Sequence, residues 1–91
     1  STTVRDSKIG LSAPDEIKLT CGSSAITMTP GKVIVTSGAG ATLTLDGANV
    51  KIEGANIELA ASANGKFTAG AALDLFGMVT TIKGGPVKIN C

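Results

Sequence analysis

Few side chains in this 91-residue sequence could carry out nucleophilic, acid-base or metal chemistry. The sequence contains no His, which excludes a Ser-His-Asp or Cys-His nucleophile and a histidine-ligated metal. Its two cysteines, Cys21 and Cys91, are isolated in sequence and do not supply the clustered ligands of a zinc site. We therefore predict no cofactor and no metal.

The remaining candidates for chemistry are equally weak. Asp46 and Glu53 could act as the two acids of glycoside hydrolysis, which need carboxylates about 5–10 Å apart. Gly65 and Lys66 match part of a phosphate-binding loop, but that motif needs Gly where Ala61 stands and Ser or Thr where Phe67 stands. Structural explanations are simpler in both cases, and we predict that the chain is not an enzyme.

A short repeat explains more of the sequence than any of these residues. Three similar heptads cover 40–46, 47–53 and 54–60, each opened by Gly and each carrying apolar residues two positions apart. Residues two apart share one face of a strand, and Gly favours a turn, so each unit reads as a short strand followed by a sharp turn. Looser copies of this unit extend the series in both directions.

Composition favours a narrow interior over a conventional core. The sequence has 12 Gly and two Phe, with no Trp or Tyr, and its hydrophobic content of 43% is largely aliphatic. The net charge of +1 comes from interleaved signs, which argues against a nucleic-acid partner. Large side chains are too few for a globular core, so repeats must stack on one another.

Single-chain solenoids fit the spacing less well than a helix wound from three identical chains. Hexapeptide helices repeat every six residues, calcium-binding nonapeptides need Asp after their glycines, and large right-handed helices need about twenty residues a coil. We therefore predict an all-β fold: an intertwined homotrimeric triple-stranded β-helix, or β-prism needle, of strand-turn repeats of about seven residues. Residues 16–91 form this needle, and residues 1–15 are a lead-in segment.

The paired apolar residues are predicted to point at the common axis as the trimer core. These are Ile17, Leu19, Ile26, Met28, Val33, Val35, Leu43, Leu45, Val50, Ile52, Ile57, Leu59, Leu73, Leu75, Ile82, Val87 and Ile89. Residues one repeat apart should stack in columns on the outside, which sets Asp46 beside Glu53 and Lys51 beside Glu58.

Several phrases of this sequence resemble the C-terminal region of VgrG proteins, the spikes of bacterial type VI secretion systems. They are residues 17–30 (IKLTCGSSAITMTP), 24–33 (SAITMTPGKV) and 84–90 (GGPVKIN). The resemblance covers about four-fifths of the chain and extends to the central spikes of contractile phage tails. It implies a trimeric needle that sheath contraction drives through the target-cell envelope.

The resemblance also implies partners. A PAAR-repeat tip protein would sit on the C-terminal end, at or near Val87, Ile89 and Cys91, and effectors would travel with the spike. The inner tube protein would attach through N-terminal domains that this sequence lacks, and the target membrane would be met transiently. Such a protein is assembled in the bacterial cytoplasm and then secreted or injected into a target cell.

Two other hypotheses remain open from the sequence. A trimeric stem of a phage tail spike or fibre, used in adhesion, would share the same architecture. A single-chain solenoid with acyltransferase or polysaccharide lyase activity would need a catalytic constellation, and the sequence shows none.

Overall fold

The computed structural model describes residues 7–90, and this part of the chain is all-β. Its five strands are β1 (Ile17–Cys21), β2 (Ser24–Thr29), β3 (Lys32–Thr36), β4 (Thr42–Asp46) and β5 (Asn49–Glu53). They form one antiparallel sheet in the order β1-β2-β3-β4-β5. Among the described residues there is no helix long and apolar enough to cross a membrane. The all-β prediction is confirmed for this part of the chain.

Tight glycine turns explain why neighbouring strands pair. Gly22, Gly31 and Gly47 each lie in a two-residue turn with φ of 59°, 83° and 60°, a left-handed conformation that L side chains rarely adopt. The Gly47 N–H also donates to the Gly31 carbonyl at 2.9 Å, which joins two turns at one side of the sheet. Sequential strands are therefore returned directly onto one another.

The connection between β3 and β4 is longer and is held by serine side chains. The Ser37 backbone N–H donates to the Ala41 carbonyl at 3.0 Å, and the Ala41 N–H donates to Ser37 Oγ at 3.2 Å. Ser24 Oγ, on β2, accepts from the Gly38 N–H at 3.0 Å. These bonds satisfy loop backbone groups that would otherwise need water.

The chain divides into two compact units, Ser1–Leu59 and Ala60–Cys91. The first unit contains the whole sheet. In the second unit, residues 60–90 include no strand or helix, and each of them is exposed. The predicted boundary between a lead-in segment 1–15 and a needle 16–91 stays a prediction, although the first strand begins at Ile17.

The predicted outer columns are wrong for the sheet. Because β4 and β5 pair antiparallel, Asp46 lies opposite Asn49 and Thr42 lies opposite Glu53. Lys51 makes its ion pair with Glu53, with 3.6 Å between Nζ and Oε1. The physical reason is the two-residue turn at Gly47, which reverses the chain, so residues seven apart in sequence do not become neighbours across strands.

Candidate interaction surface

One face of the sheet is covered by aliphatic side chains in two rows that cross all five strands. Row A consists of Ile17, Met28, Val33, Leu45 and Val50, and row B consists of Leu19, Ile26, Val35, Leu43 and Ile52. Successive members of each row are direct cross-strand partners, as the register of every strand pair shows. We call this surface, rows A and B together, the apolar face.

All ten members of the apolar face belong to the predicted core, and the register explains how they meet. Side chains alternate between faces along a strand, so residues two apart stay together. At each hairpin the turn then determines which residue of the next strand lies opposite. Leu19 therefore lies opposite Ile26, and Leu43 opposite Ile52. A shift of one residue at any turn would move a strand's apolar pair to the other face.

The apolar face is not covered in the single chain. No described residue is buried, and on this face the exposed fraction of the side chains reaches 66% at Val50 and 55% at Ile52. Thr27, Ile34 and Thr44 on the opposite face are half-buried, and so are Ile17 and Val33 on the apolar face. The other eight residues of the apolar face are exposed, because no second layer packs on this sheet.

The total accessible surface shows how much more surface the chain exposes than a compact protein of the same mass. The chain exposes 8757 Å². A folded monomer of 9.0 kDa exposes about 4,900 Å² by the usual scaling of surface with mass. The difference, about 3,900 Å², is surface that a compact chain of this mass would bury.

Row B lies in a groove of about 840 Å³. All five row B residues line it, and no row A residue does. Small residues border the groove where the strands meet the loops, namely Cys21, Ser24, Ser37 and Ala41, and Ile57 lines it from the segment after β5. The thiol of Cys21 is free and exposed. The floor of the groove is aliphatic along all five strands, and Glu53, Asn56 and Glu58 line it in β5 and in the segment after β5.

The charged residues of the strands lie on the opposite face. Lys18, Lys32, Asp46, Lys51 and Glu53 are the charged strand residues, and each is one position away from an apolar-face residue. Lys32 Nζ lies 3.8 Å from Asp46 Oδ2 across the β3–β4 pair. Exposed ion pairs of this kind contribute about 0–1 kcal/mol, so this face is a solvated surface more than a source of stability.

The other predicted core residues lie outside the sheet. Ile57 and Leu59 belong to the first unit, whereas Leu73, Leu75, Ile82, Val87 and Ile89 belong to the second, and all seven are exposed. Only Ile57 of these lines the groove. Val87 and Ile89, two of the predicted tip contacts, are 46% and 77% exposed, and Cys91 lies outside the described residues.

Sequence reasoning missed several apolar residues that need cover. Phe76 and Met78 are fully exposed, and Val79 and Phe67 are nearly so, yet none was placed in the predicted core. Phe76 and Met78 are two positions apart, but they flank Gly77 and so fall outside the glycine-led pairs that the prediction used. Aromatic content alone would have identified both phenylalanines as residues that must be covered.

Within residues 7–90, no three His, Cys, Asp or Glu side chains lie close enough together to hold a metal ion.

Comparison with known proteins adds one structural relative. No protein-family model matches the chain, and no curated protein does. A chain in a solved structure described as the PdpA-VgrG complex, lidless, has a similar fold, with a TM-score of 0.61 and 21% sequence identity. The similarity covers 87% of this chain and 71% of that one. The two chains share a fold.

Proposed function

We propose that the chain is a structural segment of a spike like that of the type VI secretion system, and that three copies form its shaft. The observation that carries this proposal is the accessible surface of 8757 Å² in a 9.0 kDa chain, with an entire sheet face uncovered. Three copies that turn their apolar faces toward a common axis would remove this surface from water. The seventeen predicted core residues then line the interior.

Residues 60–90 give an independent argument for the same assembly. They form no strand or helix, although Leu73 and Leu75 repeat the two-residue spacing of the strands. A backbone that becomes buried must have its N–H and C=O groups paired. In a triple-stranded β-helix the neighbouring copies supply those partners, so we propose that this unit winds together with its two counterparts.

The spike role also has support from the fold comparison. The similar chain belongs to a complex that contains VgrG and PdpA, and the present chain would play a part like that of VgrG. Its function would be mechanical: a shaft of intertwined chains resists unfolding under load while it crosses a target membrane. It would be assembled in the bacterial cytoplasm, be secreted or injected with effectors, attach to the inner tube through other domains, and catalyse no reaction.

The solution mass tests the assembly directly. Light scattering across a dilution series should give three times 9.0 kDa at every concentration, because an obligate trimer has no stable monomer. A monomeric mass together with a well-folded β spectrum would contradict the proposal. It would return a single-chain solenoid to consideration.

The tip role has its own test. We expect the trimer to retain a PAAR-repeat protein in a pull-down, and we expect Val87→Asp with Ile89→Asp to abolish that retention. Lys88→Ala, between the two, is the matched control and should leave binding unchanged. If the unaltered trimer binds no PAAR-repeat protein, the C-terminal end does not receive such a tip.

A further inference from the structure

The two rows of the apolar face differ in their surroundings, and the difference indicates how copies meet. Row B forms the floor of the groove along all five strands, whereas row A lies outside it. Two of the row A residues, Ile17 and Met28, line a separate hollow of only about 170 Å³ near Asp15 and Pro30. Row B is therefore the concave side of the apolar face. The aliphatic side chains of row A, on the other side, could fit into a groove of this kind.

We infer that row B of each copy is covered by row A of the next copy around a three-fold axis. The inference rests on the proposed function, which supplies the trimer, and it adds which residues meet. In a closed ring every contact is head-to-tail, so each copy touches one neighbour through one side and the other neighbour through the opposite side. The two rows lie side by side, two residues apart on every strand, so each row is nearer to one neighbour.

A second copy of this chain is the occupant that the surface fits best. The apolar face measures about 20 Å by 17 Å, or about 340 Å², which is within the size range of the largest, often functional, apolar patch of a monomer. No charged strand residue belongs to rows A and B, although Glu53 at the end of β5 also lines the groove. A copy's own row A offers Ile, Met, Val and Leu side chains at the same strand spacing as the groove that receives them. Ser24, Ser37 and Ala41 along the groove are small enough to let a neighbouring backbone approach.

At the three inner strands this contact is made by side chains alone. The backbone groups of β2, β3 and β4 already pair with a strand on each side within the same chain. A neighbouring copy therefore has no need to add hydrogen bonds to these strands. The three inner strands meet their counterparts by packing, in contrast to the backbone pairing proposed for residues 60–90, whereas β1 and β5 are the edge strands of the sheet.

Cysteine pairs on one strand test which rows meet. In a Cys21→Ser, Cys91→Ser chain, Leu43→Cys introduces a thiol in row B and Leu45→Cys introduces one in row A. A disulfide needs Cβ atoms about 3.5–4.5 Å apart. Unlike rows of adjacent copies meet at such a distance, whereas like rows lie farther apart across the axis. After oxidation we expect the double variant to run as three linked chains without reductant, and each single variant to run as one.

Controls separate this inference from the proposed function. Thr42→Cys with Thr44→Cys, on the opposite face of the same strand, should give no linked species. Should the reduced double variant fail to assemble, Val33→Cys with Val35→Cys repeats the test on β3. Linked pairs from a single variant, two-chain species as the end point, or no linkage in an intact trimer would each overturn the inference alone. A monomeric Cys21→Ser, Cys91→Ser chain would instead overturn the trimer itself.

Discussion

The sheet of residues 17–53 and the segment of residues 60–90 use the same kind of apolar pair in different ways. In the sheet, each pair lies on a strand whose neighbour follows after a short turn, so the chain pairs with itself. In the second segment, Leu73 and Leu75 have the same spacing, yet no strand is formed there. The difference teaches that apolar spacing alone does not produce a strand, and that a short turn which returns the chain onto itself supplies the strand partner within the first unit.

The two regions also differ in which interactions an assembly would have to supply. The sheet has its backbone hydrogen bonds, each with a net value of about 0.5–1.5 kcal/mol, but it lacks a second layer to cover its apolar face. A sheet that is hydrophobic on one face must bury that face against another element. The segment 60–90 lacks both strand partners and cover. Substitutions confined to one region can therefore separate the need for apolar packing from the need for backbone partners.

The largest effect should come from a charge on the apolar face. Ile52→Asp places one carboxylate per copy in row B, at a cost of several kcal/mol in unfolding free energy because a buried charge loses its hydration. We expect the trimer to disappear in light scattering. Lys51→Ala, one residue away on the opposite face, is the control and should be nearly silent. An unchanged mass and melting temperature for Ile52→Asp would show that Ile52 does not face the interior.

A smaller loss of stability should follow from straining the turn of one hairpin. Gly47→Val puts a β-branched residue at φ of 60°, which costs about 1–3 kcal/mol. Because this hairpin joins β4 to β5, thermal unfolding should shift down by about 4–8 °C for each kcal/mol lost. Gly10→Val is the matched control, since no atom lies within 4 Å of the added Cβ and its φ is not in the left-handed range. Equal melting temperatures for the two variants would show that the left-handed conformation at Gly47 does not contribute to stability.

A single hydrogen bond of the β3–β4 loop gives the next effect. Ser24→Ala removes the Oγ that accepts from the Gly38 N–H, at a cost of about 0.5–1.5 kcal/mol. The midpoint of denaturant unfolding should fall without a change in slope. Ser62→Ala, in the second unit, controls for the loss of an exposed hydroxyl. The loop contact would be unimportant if both variants unfold at the same denaturant concentration.

The smallest effect concerns the charged face of the sheet. Lys32→Ala removes the exposed pair with Asp46, worth about 0–0.5 kcal/mol at low salt and less at high salt. A double-mutant cycle with Asp46→Ala, measured by denaturant unfolding at two salt concentrations, isolates the pair. A coupling energy above about 1 kcal/mol would mean that assembly buries this face too.

The positions of the strands could be predicted from the sequence, whereas their pairing and the contacts between distant residues could not. The pairs Ile17 with Leu19, Val33 with Val35 and Val50 with Ile52 each fall on a strand, because alternation and glycine turns are local signals. The prediction of columns seven residues apart is wrong, since pairing direction depends on the turn at Gly47. The bond between Ser24 and Gly38 joins residues fourteen apart, which no local pattern reveals.

By itself the sequence determined that the chain is all-β, that its strands are two-sided, and that too few large residues exist for a globular core. These properties follow from local geometry, because side chains alternate along any extended strand. Only the tertiary structure decided that the strands run antiparallel, that ten apolar residues form two continuous rows, and that one row lies in a groove. Register and curvature arise when strands meet across the sheet, so they depend on every turn together.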